Sequence, residues 1–552
     1  MKKMNKLFTL ALALVMILSL AAPVFAAPGD YTITITNPHA ESAAGHTYEA
    51  YQIFTGTLSS DGTTLSNVQW GEAIDGDALL AALKAETFYG AGTDNLFSAC
   101  TTAAHVADVI SQTGFGTNDN VRRFAELVEA NLKTGAPHYD STESTAPYTI
   151  TIPADKAGYY LVKDKDGSLD GNANKDYTKY ILRVVDNTTV QHKGSIPSID
   201  KQVSASQTTG YTDAIDAAMA TTYYYKLTGT LPSDYRDYYS YFYEMNDTMS
   251  AGIDFGEIVE IYIARRGGGT TPLIKDYHYT LTVAENDTNA DSIKDNTTLQ
   301  IKFENLKADF DGDSNRNDLD LHNEDKIIVV YTATLNENAV IADVGNPNNV
   351  YLRYSNNPNE SGEPGTTPPD ETKVYSFALN LVKVDNANHS LVLSGAEFIL
   401  YRNVFEGGVE VKEYAVVTGG KVTAWTKVET DATKLVTDAA GKIAVDGLAA
   451  STYFLKETKA PDGYELLLDP IYVTVTATYS TVGVTGMTVD TDALGGGTVD
   501  VANGTVTITV VNHKGNVLPE TGGMGTTLFY LAGSIMAVGA GILLITKKRM
   551  AE

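Results

Sequence analysis

Period-two alternation runs through this chain almost from end to end. YTITITN (31–37), PYTITIP (147–153), KYILRVVD (179–186), EIVEIYIARR (257–266), YHYTLTVAE (277–285), KIIVVYTATL (326–335), IYVTVTA (471–477) and TVTITVV (505–511) set β-branched or aromatic residues against polar ones. Side chains alternate across a strand, so each segment has one apolar and one wettable face, as half-buried antiparallel sheets require. The expected fold is mostly β, built from tandem immunoglobulin-like β-sandwiches. The 552 residues suffice for about three such units. The stretch SNNPNESGEPGTTPPDET (355–372) reads as a linker over 359–372, and Lys193-Gly194-Ser195-Ile196-Pro197 marks another boundary. The modules expected are therefore 27–193, 194–358 and 373–515. In the first, helical spacing over 77–86, 103–113 and 121–134 predicts helices inserted into the sandwich.

Both chain ends carry targeting features. Lys2, Lys3 and Lys6 precede the apolar run Leu7–Ala22, and Val24-Phe25-Ala26 supplies the small residues of a signal-peptidase site, so residues 1–26 are expected to be removed. At the other end, Leu518-Pro519-Glu520-Thr521-Gly522 is followed by an apolar run from Thr526 to Thr546 and by Lys547-Lys548-Arg549. The run is long enough to cross a bilayer as a helix, with the trailing cations holding the cytoplasmic side. In this order, residues 518–552 resemble the cell-wall sorting signal of Gram-positive surface proteins. The resemblance implies that a sortase cuts between Thr521 and Gly522, joins Thr521 to an amine and leaves the protein anchored to peptidoglycan at the cell surface.

Net charge is −28, and six of the cations lie in the two ends, so the intervening chain is more acidic still. That balance argues against nucleic acid as a partner and suits a soluble, self-repelling surface. Cys100 is the only cysteine, so no intrachain disulfide exists to reinforce an exported protein of this length.

Strand periodicity places polar residues where apolar ones belong. Phe377, Leu379, Leu381 and Lys383 share one face in FALNLVKVD, Tyr453, Leu455 and Glu457 share one in STYFLKET, and Val506, Ile508, Val510 and Asn512 share one in TVTITVVNH. A single strand-end lysine usually snorkels to water, but three such residues of complementary kinds suggest chemistry. Burial favours a neutral lysine amine and a neutral glutamic acid. Such an amine can attack the asparagine side-chain carbonyl while the acid donates to its oxygen, releasing ammonia and leaving an amide between strands.

LVKVDNANHSLVLSGAEFILY (381–401) followed by YFLKETKAPDGYELL (453–467) resembles the Cna protein B-type domain of Gram-positive pilins, including its E-box glutamate. The resemblance implies a Lys383–Asn512 cross-link catalysed by Glu457. The middle module is similar to the central isopeptide-forming domain of backbone pilins, which uses an aspartate. There Ile199, Lys201 and Val203 share a face, as do Tyr243, Met245 and Asp247, and Asn348, Val350, Leu352 and Tyr354. This implies a Lys201–Asn348 bond with Asp247 as catalyst; Asn349 is adjacent, and Asn348 is preferred for lying on the apolar face. In VQHKGSIP, Lys193 resembles the pilin-motif lysine that accepts Thr521 of a neighbouring subunit, although His192 and Gln191 stand where the family often has proline and tyrosine.

Asp309, Asp311, Asp313, Asn315, Asn317 and Asp320 approach a calcium-loop spacing, but Ser314 replaces the turn glycine and Asp320 the usual glutamate, so a solvated acidic loop is the preferred reading and no metal or cofactor is expected. Neither HExxH nor GxSxG is present, which argues against a wall-anchored hydrolase. The sequence therefore points to a structural subunit of a covalently polymerised pilus, with sortase, copies of itself and peptidoglycan as partners, and tip or base pilins and host surface ligands as further candidates. The alternative is a wall-anchored adhesin or minor pilin that is not polymerised, and Lys193 is what separates the two.

Overall fold

The computed structural model describes residues 29–36, 45–60, 62–112, 115, 118–169, 177–192, 194–238, 240–288, 294–310, 318–341, 344–356, 364–515 and 524–550. Within them the chain is mostly β, in three sandwich-like modules followed by a long C-terminal helix.

In the first module, Tyr31–Thr36 lies between Tyr148–Ile152 (antiparallel) and Thr188–Gln191 (parallel). The facing sheet runs Leu65–Trp70, Tyr48–Leu58, Gly158–Asp164, Lys179–Val184. Alternation fills the space between them with Ile33, Ile35, Tyr148, Ile150, Tyr48, Tyr160 and Val162. The other face of the second sheet is buried too, under helices Gly76–Ala85, Ala103–Ile110 and Asn118–Ala130, whose Leu79, Leu83, Val106, Phe124 and Val128 pack with Ile53, Phe54 and Leu161. Asp75 and Thr102 cap the first two helices by accepting from the backbone N–H groups of Ala78 and His105. The second helix ends three residues before the expected 113, and the third runs 118–130 rather than 121–134.

The middle module opposes two sheets. One runs Thr270–Pro272, Ile253–Ala264, Lys326–Leu335, Tyr223–Thr230, Ser198–Ser204. The other runs Ala214–Asp216, Asp370–Tyr375, Asn346–Tyr354, Tyr243–Ser250, Asn296–Phe303, Thr280–Asn286. The stretch expected as a linker, 359–372, departs from that reading: Gly365–Thr366 and Asp370–Tyr375 are strands that pair with Asn346–Tyr354. Thr372, Val374 and Tyr375 are buried there, so Pro368 and Pro369 stand between two paired strands rather than in a free tether.

Only Ser376 separates Asp370–Tyr375 from Phe377–Asp385, the first strand of the last module. That strand pairs antiparallel with Lys442–Leu448 and parallel with Thr505–Asn512. On the far side, Glu397–Glu406 pairs with Thr452–Lys459. Middle and last modules share one continuous apolar cluster. Met219 donates its backbone N–H to Gly447 at 2.9 Å, the Trp425 indole donates to the Met219 carbonyl at 3.1 Å, and Asp216 accepts from Ala450 N and the Tyr479 hydroxyl. Helix Met524–Arg549 contains the 23-residue span Thr527–Arg549, whose most apolar 18-residue window has a mean hydropathy of 2.2, and it exposes its apolar side chains; by length and composition it is able to cross a bilayer.

Candidate amide-forming sites

Alternation in the Ser198–Ser204 strand turns Lys201 into the middle core, and the residue is 1% exposed. Across the sandwich, Asp247 pairs with Val350 in strand register, two positions beyond Asn348, so Asp247 and Asn348 are diagonal neighbours on one face. They are 1% and 0% exposed; Asn349 points the other way and is only half-buried. The lysine Nζ contacts Asp247 Oδ2. Between them lies a residue that sequence reasoning missed, Tyr331. Its hydroxyl donates to Asp247 Oδ2 at 2.9 Å and accepts from Lys201 Nζ at 3.1 Å and from Asn348 Nδ2 at 2.8 Å.

The electrostatics favour proton exchange within this group. Burial pushes the Lys201 amine down, opposed by Asp247, and pushes the Asp247 carboxyl up, opposed by Lys201. Both shifts favour the neutral pair over the ion pair. Asp247 Oδ1 and Asn348 Oδ1 are buried acceptors with no hydrogen-bond donor among the described residues. A proton on the carboxyl supplies a donor that the ionised form lacks.

The last module has a second cluster of the same kinds. Lys383 is 0% exposed, and its Nζ lies 2.9 Å from Glu457 Oε1, but the contact is misaligned for a hydrogen bond. Burial again pushes the lysine amine down. Glu457 Oε2 accepts from Leu467 N at 2.8 Å, and its strand pairs Glu457 with Phe398, whose ring centroid lies 5.2 Å from Lys383 Nζ. Asn512 is 1% exposed and pairs with Asp385, two residues beyond Lys383, so both side chains share a face of adjacent parallel strands. Its Nδ2 has no hydrogen-bond partner among the described residues. Lys383 and Glu457 thus meet without a well-aligned hydrogen bond, with buried Asn512 on the same face two positions along the neighbouring strand, a costly arrangement for a purely structural core.

The remaining sequence candidates fall differently. Lys193, the sorting pentapeptide Leu518–Gly522, the leader 1–26 and residues 311–317 of the acidic loop lie outside the described residues. In the first module, Lys163 and Lys179 both contact Glu129, the former at 2.7 Å, and no asparagine joins them among the described residues.

Comparison with known proteins fits this geometry. Residues 377–489 match the SpaA prealbumin-like fold domain, and residues 510–552 match the LPXTG cell wall anchor motif. The chain thus carries a prealbumin-like domain and the anchor of a Gram-positive wall-attached surface protein. It is similar to proteins described as backbone or major pilins. One relative is the trypsin-resistant surface T6 protein of Streptococcus pyogenes serotype M6, 27% identical over 291 residues. That match covers 40% of this chain and 48% of the relative, so the chain spans about half the length of the curated relative it matches. Similar solved structures include the T6 backbone pilin of Streptococcus pyogenes serotype M6 (17% identity, 88% of this chain and 99% of that one, TM-score 0.49) and the full-length major pilin SpaD of Corynebacterium diphtheriae (17%, 90% and 99%, TM-score 0.45). Both superpositions are loose.

Proposed function

We propose that this protein is the shaft subunit of a covalently polymerised pilus, reinforced by two internal amides it forms itself. The observation that carries the reading is the pair of buried Lys–acid–Asn clusters beside an LPXTG anchor. In each, the neutral lysine nitrogen attacks the asparagine Cγ, and the acid donates to the carbonyl oxygen as charge develops there. The Cγ–Nδ2 bond breaks, one lysine proton ends on the departing nitrogen, and ammonia leaves. Lys201 is joined to Asn348 under Asp247, and Lys383 to Asn512 under Glu457. Each bond forms once, so the protein is its own single-turnover substrate rather than an enzyme.

Closing loops of this length stabilises the folded state by about 5 kcal/mol each on the chain-entropy model. The mechanical consequence matters more, because tension then passes through a covalent bond instead of a strand ladder, without disulfides. Polymerisation follows when a sortase cleaves between Thr521 and Gly522 and transfers Thr521 to Lys193 of the next subunit, the last subunit going to peptidoglycan.

Intact mass of the purified mature protein tests the internal bonds. The expected mass is the sequence mass less two ammonia molecules, and the full sequence mass would remove both bonds from the account. Peptide mapping should recover Lys201 linked to Asn348 and Lys383 linked to Asn512.

A further inference from the structure

We propose that the Tyr331 hydroxyl is a proton relay in the middle module, giving a proton to the departing Nδ2 of Asn348 and recovering one from the Lys201 nitrogen. The inference rests on the amide-forming reading of this site and assigns a group which that reading does not require.

Tyr331 is fully buried on the Lys326–Leu335 strand, opposite Tyr225 in register, with the two rings 5.1 Å apart between centroids. Its aromatic body is core. Its oxygen, however, is hydrogen-bonded to all three reacting partners, at 2.8 Å from Asn348 Nδ2, 2.9 Å from Asp247 Oδ2 and 3.1 Å from Lys201 Nζ. With two bonds accepted and one donated, it occupies a position from which its O–H can change acceptor by a small rotation.

Amide exchange needs such a group. Attack by the neutral amine gives a tetrahedral centre whose former lysine nitrogen carries an excess proton and whose Nδ2 has become basic. Departure of Nδ2 as an amide anion is prohibitive, so it must be protonated first. The Tyr331 O–H turns from Asp247 to Nδ2 and donates, the Cγ–Nδ2 bond breaks, and the Lys201 nitrogen returns a proton to the phenolic oxygen. One C–N bond forms, one breaks, the tyrosine ends unchanged and ammonia leaves. Burial holds the phenol firmly protonated, so it starts each event as a donor.

The last module offers an internal comparison. Among the described residues, no hydroxyl hydrogen-bonds Lys383, Glu457 or Asn512, and a phenylalanine ring, Phe398, lies by the amine. Its bond should therefore be indifferent to Tyr331.

The test is Tyr331→Phe in the full chain, synthesised in a cell-free system and sampled over time by peptide mass spectrometry. General acid catalysis of this kind contributes about 10²–10⁴-fold, so the middle bond should form at least about a hundred-fold more slowly while the last forms at the wild-type rate. Asn348→Ala and Asn348→Ala/Tyr331→Phe, neither able to form the bond, should melt within a few degrees of each other. Wild-type kinetics in Tyr331→Phe would overturn the relay and leave the cross-link standing. A large drop in melting temperature in the double variant would overturn it in favour of a purely structural hydroxyl. Absence of the middle bond from the wild-type protein would remove the cross-link reading and the relay with it.

Discussion

A lysine, a carboxyl and an asparagine buried together have few stable arrangements. As an ion pair, Lys201 and Asp247 sit where burial opposes both charges; as a neutral pair they carry the same number of protons and become nucleophile and acid. This gives the pH dependence a definite form. The reactive pair holds one proton in total, so the rate of middle-bond formation should be flat between the two apparent pKa values of the pair. It should fall at lower pH, where the pair gains a second proton and the amine is lost as nucleophile. It should fall again at higher pH, where the pair loses its proton and with it the acid. A rate rising monotonically with pH would instead mean that only the amine titrates. In the last module, Glu457→Ala should restore one ammonia to the mass and leave Lys383 without its carboxyl. Removing one partner of a buried pair costs about 3–5 kcal/mol, so that module should also become protease-sensitive. A Glu457→Ala protein still lighter by two ammonia molecules would show that the glutamate is not needed.

At the scale of elements, alternation made six of the site residues legible. Each of Lys201, Asp247, Asn348, Lys383, Glu457 and Asn512 interrupts an apolar face in its own strand, and the structure buries all six. Tyr331 was invisible for the opposite reason: in KIIVVYTATL it continues the apolar face, and a tyrosine there reads as one more core ring. The described part of the expected linker, 364–372, was misread because proline and glycine flank short paired strands as readily as they fill a tether; the pairing partner lies in Asn346–Tyr354, and nothing local reports it. That pairing makes the joint between middle and last modules tight. Gly447 sits there at φ +93°, and a Cβ added to it would fall 2.5 Å from Met219 Sδ and 2.7 Å from its Cγ. Gly447→Ala should cost about 1–3 kcal/mol through strain and overpacking. It should broaden the angle between the two modules in small-angle scattering, with both internal amides retained by mass. Unchanged scattering would mean that the joint does not depend on this contact.

For the whole molecule, the proposed shaft takes force in at one end and passes it out at the other, and every break in covalent continuity across a module is a weak point. On that proposal the internal amides remove two of them, and a bond between Thr521 and a neighbouring lysine supplies the connection between subunits. The wall anchor alone serves a solitary adhesin equally well, so the linking amine carries the distinction. Lys193→Ala should abolish polymers while leaving monomer attached to the wall, and unchanged polymers would place the linkage on another amine. The most direct measurement is a denaturing immunoblot of cell wall released enzymatically from the native organism. The account predicts a ladder of multimers that survives boiling in detergent. A single band near the monomer mass would contradict it and make this protein a solitary wall-anchored surface protein with internal reinforcement.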